Sequence, residues 1–253
     1  MGRIISIVNQ KGGVGKTTTA VNLTASLSAA EKKCLLVDCD PQGNATTGLG
    51  FDKRVLEKGT YDLLVGDGIG LSAVSETMLS GLHLLGATED LVGVEVEMVT
   101  MGDKEYRLRN GLQELRGQYD YIILDCPPSL GFLTVNALTA SDSVLIPLQC
   151  EYYALEGLSQ LLNTIKAVRR GLNPGLQIER ILLTMHDRRN NLSQQVVDDV
   201  RTHFKGSVFQ TIIPRNVRLS EAPSHGKPII LYDICSKGAQ SYLSLARELI
   251  GRG

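Results

Sequence analysis

Apolar and polar positions along the chain follow two alternating rhythms. Short runs that stay apolar on consecutive positions occur at Arg3 to Val8, Cys34 to Val37, Leu82 to Leu85, Tyr121 to Leu124, Ser143 to Leu148, Ile181 to Thr184 and Val208 to Ile213. A strand that is apolar on both faces is one covered by helices on both sides. Between these runs the apolar residues take helical spacing, at Lys16 to Ala30, Tyr106 to Arg116, Phe132 to Ala140, Leu155 to Arg170, Leu192 to Phe204 and Gly238 to Ile250. Within the Leu155 segment, Leu158, Leu161, Leu162, Ile165 and Val168 form one stripe. Strand followed by helix, repeated, predicts an α/β fold: a doubly wound, mainly parallel sheet with helices on both faces. No repeat, low-complexity tract or linker interrupts the pattern, so residues 1–253 are expected to form a single domain. In open sheets of this kind ligands sit beyond the carboxyl ends of the strands, which directs attention to the loops after Val8, Val37 and Leu124.

Composition narrows the function classes. Hydrophobic residues make up 43% and charged residues 21% of the 253, which excludes a disordered or collagen-like chain. No apolar run approaches the ~18 residues of a membrane-spanning helix, and the apolar start at Ile4 and Ile5 is too short for a signal peptide. The same start, Met1-Gly2-Arg3-Ile4-Ile5-Ser6, matches a myristoylation pattern, but burial of Ile4 and Ile5 in the first strand explains it better. Cysteines at 34, 39, 126, 150 and 235 show no C-x-x-C spacing, and His83, His186, His203 and His225 stand alone. Reduced thiols in a cytoplasm are expected, without a zinc site. The net charge of -1 conceals a skew: residues 1–150 carry 12 positive and 18 negative side chains, residues 151–253 carry 14 and 9. That skew permits a basic face on a near-neutral protein.

The chemistry begins at Asn9-Gln10-Lys11-Gly12-Gly13-Val14-Gly15-Lys16-Thr17-Thr18, between the first strand and the first helix. Gln10 occupies the position where the strict phosphate-loop pattern has glycine, yet Gly12, Gly13 and Gly15 still let the backbone curl around phosphate oxygens. Backbone N–H groups from Gly12 to Thr18, Val14 included, are expected to face the phosphates, with Lys16 on the β and γ oxygens and Thr17 on Mg²⁺. Asp125 follows four apolar residues and is the second expected Mg²⁺ residue. Asp38 and Asp40 end the second strand on the same side; Asp40, further into the loop, is the candidate for positioning the attacking water, and Asp38 reads as a structural acceptor or an outer member of the metal shell. No N-K-x-D guanine signature occurs, which favours ATP over GTP.

Three motifs, Lys11 to Thr17, Asp38-Cys39-Asp40-Pro41-Gln42-Gly43-Asn44 and Leu124-Asp125-Cys126-Pro127-Pro128, together resemble the ParA/MinD group of deviant-Walker P-loop ATPases. Thr184 to Leu192 and Ile213 to Pro228 are similar to its chromosome-partitioning (Soj) branch, and the resemblance spans essentially the whole chain. It implies an ATP-bound homodimer that binds double-stranded DNA without sequence preference and hydrolyses ATP when a ParB-like partner stimulates it. It also implies a cytoplasmic, nucleoid-associated protein serving a chromosome or a plasmid. Lys11 would reach the partner subunit's phosphates, which makes a complete site depend on dimerisation. Arg189 and Arg218 are the DNA-binding residues implied by the resemblance; Arg188, Arg215 and Lys227 join them on local charge, since residues 180–227 carry 8 positive and 4 negative side chains. Pro214 and Asn216 are implied adenine contacts. The phosphate loop opens nearly at the start of the chain, so no helix-turn-helix segment ahead of it is expected.

The alternative is a MinD-like membrane or cargo-positioning ATPase, which needs a basic amphipathic tail. Ser241 to Gly253 offers only Arg247 and Arg252 around Glu248, and Leu243, Leu245, Ala246, Leu249 and Ile250 read as a helix docked on the body, so no stable membrane anchor is expected. A metabolic enzyme on the same fold, with an iron–sulfur cluster shared between subunits, would need two suitable cysteines, and only Cys126, with Cys39 in the neighbouring loop, lies near the phosphate end.

Overall fold

The protein is described by a computed structural model covering residues 2–66, 70–151 and 154–251, with side chains at 154–156 left aside. Seven strands, β1 (Arg3–Ile7), β2 (Cys34–Asp38), β3 (Ser75–Glu76), β4 (Leu82–Leu85), β5 (Tyr121–Asp125), β6 (Ser143–Gln149) and β7 (Gln177–Thr184), form one sheet in the order β3-β4-β2-β5-β1-β6-β7. Among the described residues only the β3–β4 pair is antiparallel; the other pairs are parallel. Ile7 pairs with Asp125 and Asp38 pairs with Asp125, so the strands β1, β2 and β5 end level with one another. The phosphate loop and both acidic loops therefore leave the sheet side by side.

The helices are α1 (Lys16–Ala29), α2 (Asn44–Gly48), α3 (Thr60–Val65), α4 (Val94–Met98), α5 (Arg107–Arg116), α6 (Phe132–Ala140), α7 (Ala154–Gly171), α8 (Asn191–His203), α9 (Val217–Glu221), α10 (Ile229–Tyr232) and α11 (Lys237–Ile250). They divide the core in two. Ile4, Val8, Leu35, Val37, Ile122 and Leu124 project to one face, against α5, α6 and α8; Ile5, Ile7, Leu36 and Ile123 project to the other, against α1 and α11. Alternation along each strand feeds both layers, which is why the strands carry no polar face. On α11, Leu245, Ala246 and Leu249 are buried, with Leu243 and Ile250 packed at the margin, so this segment is a docked helix. Among the described residues no helix is long and apolar enough to cross a membrane.

The expected strand at Val208 to Ile213 does not form. Val208 makes a single bridge to Ile181, and Phe209 N and Ile213 N reach Ile181 O and Leu183 O at 2.9 Å each. Between them the Glu248 carboxylate of α11 accepts Gln210 N at 2.9 Å and Thr211 N at 3.0 Å, drawing the chain off the β7 edge. β7 itself starts earlier than the apolar run, at Gln177, because Gln177, Glu179 and Arg180 surround a lone apolar Ile178 on a partly exposed edge.

Candidate nucleotide site

α1 starts at Lys16 directly from Gly15, which has φ +89°, and Gly13 has φ +74°. Two left-handed residues in three positions turn the loop back over the helix start, a path that glycine allows without strain. Nearby side chains hold the loop. Asn9 accepts Lys11 N at 3.0 Å and donates to Pro147 O at 2.7 Å, and the Thr184 hydroxyl donates to Val14 O at 2.9 Å. Lys16 is 7% exposed and its ammonium donates to Lys11 O at 3.3 Å, inside the loop's own curve. Burial lowers its pKa, while Asp125 and then Asp40 oppose that shift. Lys11 points outward instead, its ammonium 3.1 Å from Glu151 on the exposed surface.

The three acidic residues divide by their partners. Asp38 is fully buried and takes Thr46 N at 2.8 Å, the Thr46 hydroxyl at 2.7 Å and Asp40 N at 3.2 Å. It thereby ties α2 to the end of β2, and burial raises its carboxyl to about 6 despite the Thr46 bonds. Asp40 lies on the wall of a cleft of about 520 Å³ with Gly12, Gly13, Lys16, Thr17 and Thr18. Asp125 is fully buried and neither of its oxygens has a hydrogen-bond partner. Burial pushes its pKa well above the usual carboxylate range, helped by Asp38 and Asp40 and opposed by the Thr17 hydroxyl and Lys16. A carboxylate this deeply buried, facing the Thr17 hydroxyl and Lys16, suits a cation. Mg²⁺ takes most of its ligands from water and phosphate and needs only one or two protein groups, so Thr17 and Asp125 fit it.

A second cleft of about 270 Å³ adjoins the first. Gly15, Thr18 and Met185 line both, and Pro214, Asn216 and Tyr242 line the second. Met185 has φ +52°, an uncommon conformation for a side-chain-bearing residue, and sits where the two clefts meet. Asn216 Oδ1 is buried there without a partner, an acceptor open to a ligand's N–H. The basic residues separate. Arg188, Arg189 and Arg215 share a groove of about 1300 Å³ with Arg201 and Lys237. Arg189 is paired with Asp187 at 2.9 Å, and Arg218, on α9, with Glu221 at 2.8 Å and Asp233 at 3.6 Å. Lys227 lines the phosphate cleft rather than the groove.

Comparison with known proteins agrees with this layout. A family model described as an AAA domain matches residues 2–178. The chain is 61% identical over 252 residues to the chromosome partitioning protein ParA of Myxococcus xanthus, covering 100% of this chain and 89% of that protein. It is 58% identical over 253 residues to the sporulation initiation inhibitor protein Soj of Bacillus subtilis, covering 100% of both. The chain belongs to the ParA/Soj family of chromosome-partitioning ATPases. The fold of this ParA/Soj chain also matches a solved structure of cobyrinic acid a,c-diamide synthase from Mycobacterium smegmatis with a bound ATP analogue and magnesium, at 38% identity and a TM-score of 0.87, covering 99% of this chain and 95% of that one.

Several residues that shape the site in this ParA/Soj chain escape the sequence reading. Asn9 and Thr184 brace the loop, Glu151 holds Lys11, and Arg201 and Lys237 add charge to the groove. Asn9 opens the loop stretch and Thr184 the Soj-like segment, though neither has a role legible in sequence; Glu151, Arg201 and Lys237 reach the site only through strand order and helix packing.

Proposed function

We propose that this ATPase, acting as one domain over residues 1–253, binds ATP with Mg²⁺, closes as a homodimer around two nucleotides, and in that state holds double-stranded DNA without sequence preference until a ParB-like partner triggers hydrolysis. The observation that carries the reading is the fully buried carboxylate of Asp125, facing the Thr17 hydroxyl and Lys16 at the start of the helix that the left-handed glycine loop opens into. Backbone N–H groups of Gly12 to Thr18 cradle the phosphates and Lys16 meets the β and γ oxygens. Thr17 and Asp125 would hold Mg²⁺, which would supply positive charge to offset that of the phosphates during transfer. Asp40, on the cleft wall, orients water for attack. Pro214 and Asn216 face the base, the free Oδ1 of Asn216 accepting the amino group of adenine.

Lys11 completes the partner's site. Its pair with Glu151 is solvent-exposed, so exchanging that carboxylate for a phosphate costs little. The same holds for Arg189 and Arg218, whose exposed pairs with Asp187 and Glu221 open onto a polyanion. A dimer doubles the basic surface, which makes DNA binding depend on nucleotide and on salt. The protein then works in the cytoplasm on the nucleoid.

Co-sedimentation with long random-sequence DNA, in ATP against ADP and across a salt series, tests this. Binding is expected only with ATP, weakening as salt rises, and absent in Lys16→Ala and Arg218→Ala. Equal binding in ADP, or none in any nucleotide while ATP is still hydrolysed, sinks the DNA-clamp reading.

A further inference from the structure

We infer that Lys227 is a phosphate-contacting residue of the nucleotide cleft, a second cation supplied in cis alongside Lys16, and not a member of the DNA surface. The inference rests on the ATPase reading above and extends its site. By charge pattern Lys227 belongs with Arg188, Arg189 and Arg215, but the fold sends it elsewhere. It shares the cleft of about 520 Å³ with Gly12, Lys16, Thr17 and Asp40, whereas those three arginines line the separate groove.

Its backbone is fixed relative to the phosphate loop. Gly226, at φ +61°, lies so close to Gly50 that a Cβ there would sit 2.6 Å from the Gly50 Cα. Lys227 N donates to Ala222 O at 3.3 Å, and two residues on Ile229 N donates to Asn22 Oδ1 at 2.6 Å. Asn22 stands on α1, the helix that begins with Lys16, and lines the same cleft. The segment is thus hung from the helix that carries the phosphate loop, and Lys227 keeps its place in the lining of the same cleft.

The side chain above that fixed backbone is exposed, and no ion pair engages its ammonium among the described residues. Lys11, Arg189 and Arg218 are each held by a carboxylate. A triphosphate entering this cleft meets Asp40 on one wall, and a free lysine on another offsets that repulsion. A flexible point charge suits the task, because it follows the phosphate without the planar fork of arginine.

The test titrates MgATP, MgADP and inorganic triphosphate into the full chain and into Lys227→Ala and Lys227→Arg by calorimetry, then measures random-sequence duplex binding at a saturating non-hydrolysable ATP analogue. Lys227→Ala should bind ATP and inorganic triphosphate about tenfold more weakly, the loss of one charge-assisted contact. Lys227→Arg should recover most of that, and duplex binding at saturating analogue should keep its affinity and salt slope in both variants. Unchanged nucleotide affinity in Lys227→Ala overturns the assignment. So does weaker duplex binding at saturation with a shallower salt slope, which would place Lys227 on the DNA surface. If the unaltered chain binds neither ATP nor triphosphate, the ATPase reading itself has failed, and the assignment falls with it.

Discussion

The Asp125 carboxyl is fully buried, and burial, with Asp38 and Asp40 nearby, pushes its pKa well above the usual carboxylate range. Ionising it costs the ligand-free chain stability, a cost that a bound cation would offset. Asp125→Asn should therefore raise the stability of the ligand-free chain, by about 1–3 kcal/mol, while removing the further stabilisation that MgATP gives. Thermal unfolding with and without MgATP reads both effects. Asp38 gives a pH signature. Its carboxyl stands at about 6 in the folded chain, above the ordinary value near 3.8, so the folded state binds the proton more tightly. Its contribution is most favourable below pH 4 and is lost as pH rises through about 6. Asp38→Asn should flatten that part of the stability curve, seen as urea midpoints that converge on wild type at low pH and exceed it at pH 7 to the extent that the amide keeps the Thr46 bonds. At this scale the phosphate-loop residues were legible because their chemistry is written in adjacent positions. Asp38 and Asp40 start on one side of the strand, and the sequence favours Asp40 only by its place further into the loop; Thr46, eight residues further on, takes Asp38 as its acceptor and leaves Asp40 on the cleft wall.

Among the elements, the α6 start shows how a long-range contact substitutes for a missing local one. Gly131 at its N-cap has no side chain to offer, and Glu95 of α4 accepts Leu133 N at 3.2 Å in its place. A Cβ on Gly131 would lie 2.4 Å from the Glu95 carboxylate, so the glycine makes room for the cap. Glu95→Ala should cost about 1 kcal/mol, as loss of an N-cap does, and Gly131→Ala should cost a similar amount. The double variant should be less destabilised than the sum of the two, measured by urea unfolding. The long helices were readable because each repeats its apolar stripe over several turns. α2, α3, α4, α9 and α10 are one or two turns long, too short for a period to show, and they form where loops fold back onto the body. Val208 to Ile213 has strand composition but loses its ladder to Glu248, a competitor that the segment's own sequence does not contain.

For the whole molecule, charge placement matters more than net charge. The groove of Arg188, Arg189, Arg201, Arg215 and Lys237 gathers residues from the loop after β7, from α8, from the segment before α9 and from α11. If the groove lies on DNA, Arg215→Ala should weaken binding to all sequences alike and lower the salt slope by about 1 for each protomer in contact. Filter binding across a salt series measures it. A slope equal to wild type would remove Arg215 from the surface. The fold class, the family and the glycine-rich loop with its acidic neighbours were legible in the sequence alone, because strands, helices and the phosphate motif are set by contacts within a few residues. Tertiary structure decided which cleft Lys227 lines, what restrains Lys11 and which cations share a groove. Those depend on strand order and on partners more than a hundred residues away, such as Glu151 for Lys11 and Asn22 for the Lys227 segment, and no local pattern records such distances.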